Sequence, residues 1–295
     1  MVPADYQPDC AARKPDYNCV MRTEEPHPIR LQDYRPPDWL IETVDLDVSL
    51  HPSAARVRAK LKLKPNAAGA PAPLVLDGDE LRLTALSLDG KPLPAENYVA
   101  TADRLTIAQP PNGPFELEIE TVIDPAGNTQ LMGLYRAGDT YCTQCEAEGF
   151  RRITYFLDRP DVLAVYTVRI EAPKALAPLL LSNGNPVEAG EIAGTDRHYA
   201  VWHDPFPKPC YLFAMVAGDL GALSDTFATR SGRTVALNIY CEHGKEARCA
   251  YAMEALKRSM RLHRVWNSAA SPSWGKSHLG CSGDCAVSPA RGACT

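Results

Sequence analysis

From Ile41 onward the chain alternates between apolar and polar positions. Val44, Leu46, Val48 and Leu50 are interleaved with Asp45, Asp47 and Ser49. After a His51-Pro52-Ser53 turn, Val57, Ala59, Leu61 and Leu63 alternate with Arg56, Arg58, Lys60 and Lys62. A period of two puts the apolar set on one face and the charges on the other, which predicts a β-hairpin whose acidic arm faces a basic one. Opposite charges across strands contribute about 0.2–1 kcal/mol per pair, so the buried Val and Leu face sets the register and the charged face reads as solvated. Further short strands are predicted over residues 74–76, 81–88, 104–107, 115–123, 164–172, 179–181, 198–202 and 211–217, separated by turn signals such as Asp89-Gly90 and Ser182-Asn183-Gly184. No helix-period segment interrupts them. The expected fold is mainly β, a twisted antiparallel sandwich or barrel-like domain.

Around Gly218 the pattern changes. A hairpin over 226–228 and 234–240, joined by Arg230-Ser231-Gly232, is followed by an amphipathic helix over 246–260. Met253, Leu256 and Met260 share one face of that helix, with Glu254, Lys257 and Arg258 away from it. Nothing later in the sequence offers an obvious partner for that face. After Arg261 the chain is rich in Ser, Gly, Ala and Cys and has no Ile, Phe or Tyr, a composition that cannot build a core. The first residues are rich in Pro, Asp and Arg without periodicity. The expected division is a flexible leader over 1–37 with Met21 as an alternative start, a β-domain over 38–218, the start of a second domain over 219–261, and an aberrant disordered tail over 262–295.

Composition narrows the classes. The 295 residues carry a net charge of −5 and are 45% apolar and 23% charged, ordinary for a soluble globular protein. Mild acidity argues against nucleic acid, which asks for a basic stripe. No apolar run approaches the roughly 18 residues of a membrane span, and the N-terminus never forms the apolar core of a signal peptide. A cytoplasmic location is expected. Of ten cysteines, Cys142, Cys145, Cys210, Cys241 and Cys249 read as reduced, mostly buried thiols.

The chemistry concentrates in residues 141–163, YCTQCEAEGFRRITYFLDRPDVL. On an extended backbone Gln144, Glu146 and Glu148 would share one face, with Cys145 and Ala147 on the other. Such an acidic patch suits a cation: a metal, a basic side chain, or the free ammonium of a peptide held by charge-assisted hydrogen bonds. A structural ion network competes with that reading, because Arg151 and Arg152 follow at once and could neutralise Glu146 and Glu148. Cys142 and Cys145 also allow a thiol redox pair or half of a zinc site. Zinc asks for a second pair, and the other close pair, Cys281 and Cys285, lies in the tail. A redox Cys-x-x-Cys asks for a helix start, whereas the flanks here are strand-like.

Residues 141–163, together with Leu181-Ser182-Asn183-Gly184-Asn185 and residues 203–220 (HDPFPKPCYLFAMVAGDL), resemble the N-terminal portion of the bacterial aminopeptidase N family, gluzincin zinc metallopeptidases. The likeness runs from about Asp33 through Thr229-Arg230-Ser231-Gly232-Arg233 to the helix at Ser259. It implies a saddle-shaped β-domain to about Gly218, packed against a thermolysin-like catalytic domain of which residues 222–261 are the opening. Thr143-Gln144-Cys145-Glu146 matches the family's T-Q-x-E, so the resemblance gives Gln144 and Glu146 the task of holding the substrate's free amino group. It leaves Glu148, Arg151, Arg152, Asp158 and Arg159 as scaffold. An α-amino group with a pKa near ~8 is largely protonated at neutral pH, and a carboxylate at a fixed distance from the reacting centre admits only a chain terminus.

The family's zinc is held by HExxH and a downstream Glu. Here no two of the seven histidines (His27, His51, His198, His203, His243, His263, His278) are four apart, and the glycine-alanine-methionine-glutamate-asparagine exopeptidase motif is absent. The sequence departs from the family pattern at Leu262, where a frameshift or a shortened gene model is the expected cause. The expectations are therefore peptides as partners through their free N-termini, no nucleic acid and no membrane. Zinc belongs to the family but is not expected on this chain, which contributes no catalytic residue or metal ligand and is catalytically incompetent alone. The alternative is a non-catalytic β-sandwich binding or interaction module.

Overall fold

A computed structural model of the chain describes residues 30–66, 72–266 and 286–290, with side chains through Arg261. Most of the expected leader and of the expected tail, including Met21, Cys281 and Cys285, lies outside the described residues. Residues 30–36, a unit separate from residue 37 onward, hold one 3-10 turn, Leu31–Asp33.

The predicted first hairpin is Trp39–Ser49 (β1) with Ala55–Pro65 (β2). Its register sets Val44 opposite Leu61 and Val48 opposite Val57, while Asp45 faces Lys60 and Asp47 faces Arg58. The apolar face is buried and the ions lie outside, as a period of two requires. Next come Leu74–Asp77 (β3), Arg82–Leu88 (β4), Lys91–Pro92 (β5), Tyr98–Ala100 (β6), Arg104–Ile107 (β7) and Phe115–Ile123 (β8). Gly133–Ala137 (β9) and Thr140–Gln144 (β10) precede the acidic stretch. Leu163–Pro173 (β11), Leu179–Ser182 (β12), Asn185–Glu191 (β13), Arg197–Pro209 (β14) and Met215–Gly218 (β15) follow it.

These strands form an eight-stranded sheet in the order β13-β14-β11-β1-β2-β8-β4-β5, a four-stranded sheet β12-β15-β10-β9 and a three-stranded sheet β3-β7-β6. The expected mainly β fold is observed. Pairing is antiparallel apart from β1 and β11, which run parallel with Val44 beside Tyr166 and Val48 beside Ile170. No alternation pattern could announce that pair, because its partners are more than a hundred residues apart.

One apolar core is shared by all three sheets. Val44, Leu61, Ile119 and Val168 come from the large sheet, Leu76 and Leu105 from the three-stranded one, and Tyr141, Met215 and Ala217 from the four-stranded one. The turn at Ser182-Asn183-Gly184 is observed, with Gly184 at φ +92°, and a Cβ there would meet the His203 carbonyl oxygen at 2.3 Å. Glycine is needed on both counts.

Past Gly218 a second apolar cluster forms. Gly221–Ala228 (β16) and Thr234–Cys241 (β17) make the predicted hairpin, and a 3-10 turn at Glu246–Cys249 leads into Ala250–Trp266 (α1). Met253 and Leu256 are buried on Phe227, Leu237 and Ile239 of the hairpin. The apolar face of this helix therefore does have a partner, contrary to expectation: its own hairpin folds back beneath it, with Lys257 paired to Asp225 of β16. Within the segment expected to be a disordered tail, Ala286–Ala290 (β18) runs antiparallel to β17. Among the described residues no helix is long and apolar enough to cross a membrane.

Candidate functional site

The acidic stretch starts at the end of β10. That strand pairs with β9 on one side, Gln144 opposite Gly133, and with β15 on the other, Tyr141 opposite Ala217. Tyr141 is fully buried, and the Thr143 hydroxyl accepts from the Met215 amide at 2.7 Å and donates to the Met215 carbonyl at 3.3 Å. Thr143 thus locks the strand just before the candidate residues.

After Gln144 the backbone leaves the sheet and turns over residues 145–149, closed by the Gly149 amide donating to the Cys145 carbonyl at 2.8 Å. The Glu146–Ala147 peptide is cis. Gln144, Glu146 and Glu148 are exposed and Cys145 is buried, as alternation requires, but Ala147 is exposed as well. The strand ends before it, so period two no longer applies. Gly149 has no room for a side chain: a Cβ would meet the Gln144 carbonyl oxygen at 2.4 Å and Cys145 Cα at 3.0 Å.

The two arginines choose partners other than Glu146. Arg151 Nε lies 2.9 Å from Asp158 Oδ2, and its Nη2 lies 3.2 Å from Glu148 Oε2 and 3.9 Å from Asp77 Oδ2. Arg152, nearly buried, reaches Asp79 at 2.9 Å and pairs with Glu80. The structural ion network therefore exists but captures Glu148 alone of the turn's two acids. The Glu146 carboxylate makes no hydrogen bond or ion pair with any described residue. Gln144 Nε2 donates to the Glu146 backbone carbonyl at 3.1 Å. Its Oε1 points to no donor among the described residues, so two exposed acceptors, one of them anionic, stand at the turn.

Beneath the turn the support is dense. The Asp158 side chain is 1% exposed and accepts from the Arg151 amide at 3.1 Å, from Arg151 Nε, and from Cys210 Sγ at 3.0 Å. Phe150 stacks edge-on to Phe156, Tyr166 and Phe213, with ring centroids 4.7–6.1 Å apart. Gly133, at φ +71°, lets β9 pass against Arg152, whose Cβ would lie 2.5 Å from a Cβ at Gly133. Arg159 pairs locally with Asp161 at 2.7 Å.

The thiol readings fare differently. Cys142 and Cys145 are both unbridged. Burial pushes the Cys142 thiol up to about 11 and the Cys145 thiol higher still, Asp158 adding to the rise. A redox pair needs the opposite shift. Among the described residues no group of three or more His, Cys, Asp or Glu stands where it could hold a metal ion.

Sequence reasoning did not anticipate Asp77, Asp79, Glu80 and Cys210 as part of this framework. They come from β3, the loop after it, and the 3-10 turn that follows β14, and only folding carries them to the turn. No spacing within 141–163 signals them.

Comparisons with known proteins place the chain in a family. The family model described as Peptidase M1 N-terminal domain matches residues 38–212. Aminopeptidase N of Caulobacter vibrioides is 54% identical over 241 residues, which is 82% of this chain and 28% of that protein. Aminopeptidase N of Escherichia coli is 48% identical over 239 residues, 81% of this chain and 27% of that protein. The chain thus spans less than a third of the length of these relatives. Among solved structures, Legionella pneumophila aminopeptidase A in complex with aspartic acid superposes with a TM-score of 0.77 at 34% identity, covering 83% of this chain and 29% of that one. An M1 zinc metallopeptidase from Deinococcus radiodurans, TM-score 0.57 at 18% identity over 68% of this chain and 47% of that one, shares the fold. With more than half its residues inside the family model, this chain belongs to the M1 zinc metallopeptidase family, of which it carries the N-terminal domain.

Proposed function

We propose that this chain is the amine-anchoring β-domain of a zinc aminopeptidase: Glu146 and Gln144 hold the free N-terminus of a peptide, and the hydrolytic machinery lies elsewhere. One observation carries the reading. Of the two acids on the turn, Glu148 is bound to Arg151, whereas the exposed Glu146 carboxylate has no partner among the described residues, and the Gln144 amide is tied to the Glu146 backbone carbonyl. An ammonium has three donors and no acceptor, so a carboxylate and an amide oxygen carried on one turn suit it. A charge-assisted hydrogen bond of this kind contributes about 1.5–3 kcal/mol. None of the five described cysteines is in a disulfide, which fits a reducing compartment such as the cytoplasm.

By this reading the chain alone binds peptide N-termini and does not hydrolyse them, because the sequence has no HExxH to hold a metal and activate water. Two measurements test it. A short peptide with a free amine binds about tenfold or more tighter than its acetylated twin, and Glu146→Gln removes the difference. Equal binding of both peptides leaves only a scaffold or interaction module. Release of chromophore from an aminoacyl amide by the purified chain with added zinc overturns the separation of anchor from catalysis.

A further inference from the structure

We propose that Arg151 is a positioning residue for the anchor, acting through Glu148 to keep Glu146 the only unpaired carboxylate of the turn and to fix its place. The inference rests on the amine-anchoring reading above and says how that site is held.

The turn bearing Glu146 is tied at both ends. Upstream, the Gln144 amide holds the Glu146 carbonyl at 3.1 Å. Downstream, the first tie is Glu148 Oε2, 3.2 Å from Arg151 Nη2. Arg151 cannot follow the turn outward, because its own Nε and backbone amide both bind Asp158 Oδ2, at 2.9 and 3.1 Å. Asp158 is in turn fixed in the core by Cys210 Sγ at 3.0 Å, and the Arg151 carbonyl accepts from the Asp79 amide at 3.0 Å. A rigid guanidinium fork suits this task, since it offers donors in two directions at once from a fixed plane. Nε binds the buried Asp158, and Nη2 reaches both the Asp158 carbonyl and the exposed Glu148.

Two consequences follow for an incoming ammonium. Glu148, two residues beyond Glu146, is neutralised and cannot act as a second, misplaced anion. Arg151 is held by Asp158 and Glu148 and does not swing to Glu146, where it would cancel the anchor's charge.

The test uses the whole chain and two probes, trialanine amide and its N-acetyl form, titrated by NMR. The wild type binds the free amine about tenfold or more tighter than the acetylated form. Arg151→Met is expected to bring that ratio below about threefold while leaving the affinity for the acetylated peptide unchanged, and Arg151→Lys is expected to restore part of it. A structural role alone would weaken both peptides together or lower the melting temperature with the ratio intact. Glu148→Ala is the second variant, for use if Arg151→Met does not fold. It leaves the Arg151 Nε–Asp158 pair whole, frees Nη2 of the guanidinium to approach Glu146, and is expected to lower the ratio as well. A folded Arg151→Met, or a Glu148→Ala, that keeps the full ratio overturns the positioning role while the anchor stands. A wild type without any ratio overturns the anchor itself, and the positioning role with it.

Discussion

Replacing Gly149 by alanine tests the turn where it is tightest. The added Cβ would lie 2.4 Å from the Gln144 carbonyl oxygen, 3.0 Å from Cys145 Cα and 3.0 Å from Met132 Cε. The methionine end can swing aside, but the two backbone atoms cannot, because Gln144 is paired to Gly133 in the sheet. The turn itself must therefore open. Relief of such overpacking costs about 1–3 kcal/mol. Opening also lengthens the Gly149 to Cys145 hydrogen bond, now 2.8 Å, a loss of about 0.5–1.5 kcal/mol. Alanine restricts the unfolded chain more than glycine does, which returns about 0.4–1 kcal/mol. The balance is a loss of about 2 kcal/mol, or a fall of about 4–8 °C in melting temperature for a domain of this size. Thermal and urea unfolding followed by circular dichroism measure it. Gly113→Ala is the control, since a Cβ there meets nothing within 4 Å. If Gly149→Ala melts within about a degree of the wild type and of the control, the turn is not held as described. The same variant is expected to lose discrimination between free and acetylated peptides, because Glu146 rides on the displaced segment.

Two further outcomes are expected. Burial opposes ionisation of Glu171, but hydrogen bonds from Arg169 and Ser49 and the charges of Arg169 and Arg197 outweigh it and hold its pKa below the ordinary 4.5. A depressed carboxylate contributes stability that is fully present above its unfolded pKa and is lost as pH falls through the folded one. Urea titrations from pH 6 down to about pH 3 should therefore show the wild type losing its advantage over Glu171→Gln below about pH 4.5, and a constant difference would contradict the ion cluster on the outer face. For the thiols, a Cys142 pKa of about 11 leaves a thiolate fraction on the order of one in a thousand at pH 8. Cys145 and Cys210 sit still deeper. Peptide-resolved alkylation should find all three slow in the folded chain and fast in urea; rapid modification of Cys142 or Cys145 in the native state would revive the redox reading.

Much of the fold is written locally. The alternation of Val44, Leu46 and Val48 with Asp45 and Asp47 fixes both the strand and its inward face, and β8 was expected with its observed ends. Other strands escaped notice. Gly133–Ala137 has two alanine-sized positions and an arginine, too little alternation to read, yet it is the strand that pairs with Gln144. β14 extends to Pro209, far past the expected 198–202, because its proline-rich end is held by pairing to Leu163 and Ala164 rather than by its own propensity. The helix face of Met253 and Leu256 looked orphaned only because burial against a hairpin cannot be read from the helix.

The sequence alone determined the class of fold, the strand faces and the place of the acidic stretch, since hydrophobic periodicity and composition act between near neighbours. It could not divide the ions of that stretch. Glu146 and Glu148 have the same chemistry and equal claims on Arg151 and Arg152 when read in line. Tertiary structure decided between them by bringing Asp158, Asp77, Asp79 and Glu80 to the arginines, fixing Arg151 where it reaches Glu148 and leaving Glu146 free. Hydrogen bonds form only at about 3 Å and surface charges are screened over roughly 10 Å, so which acid stays free depends on where the folded chain places its charges, and not on their order along it.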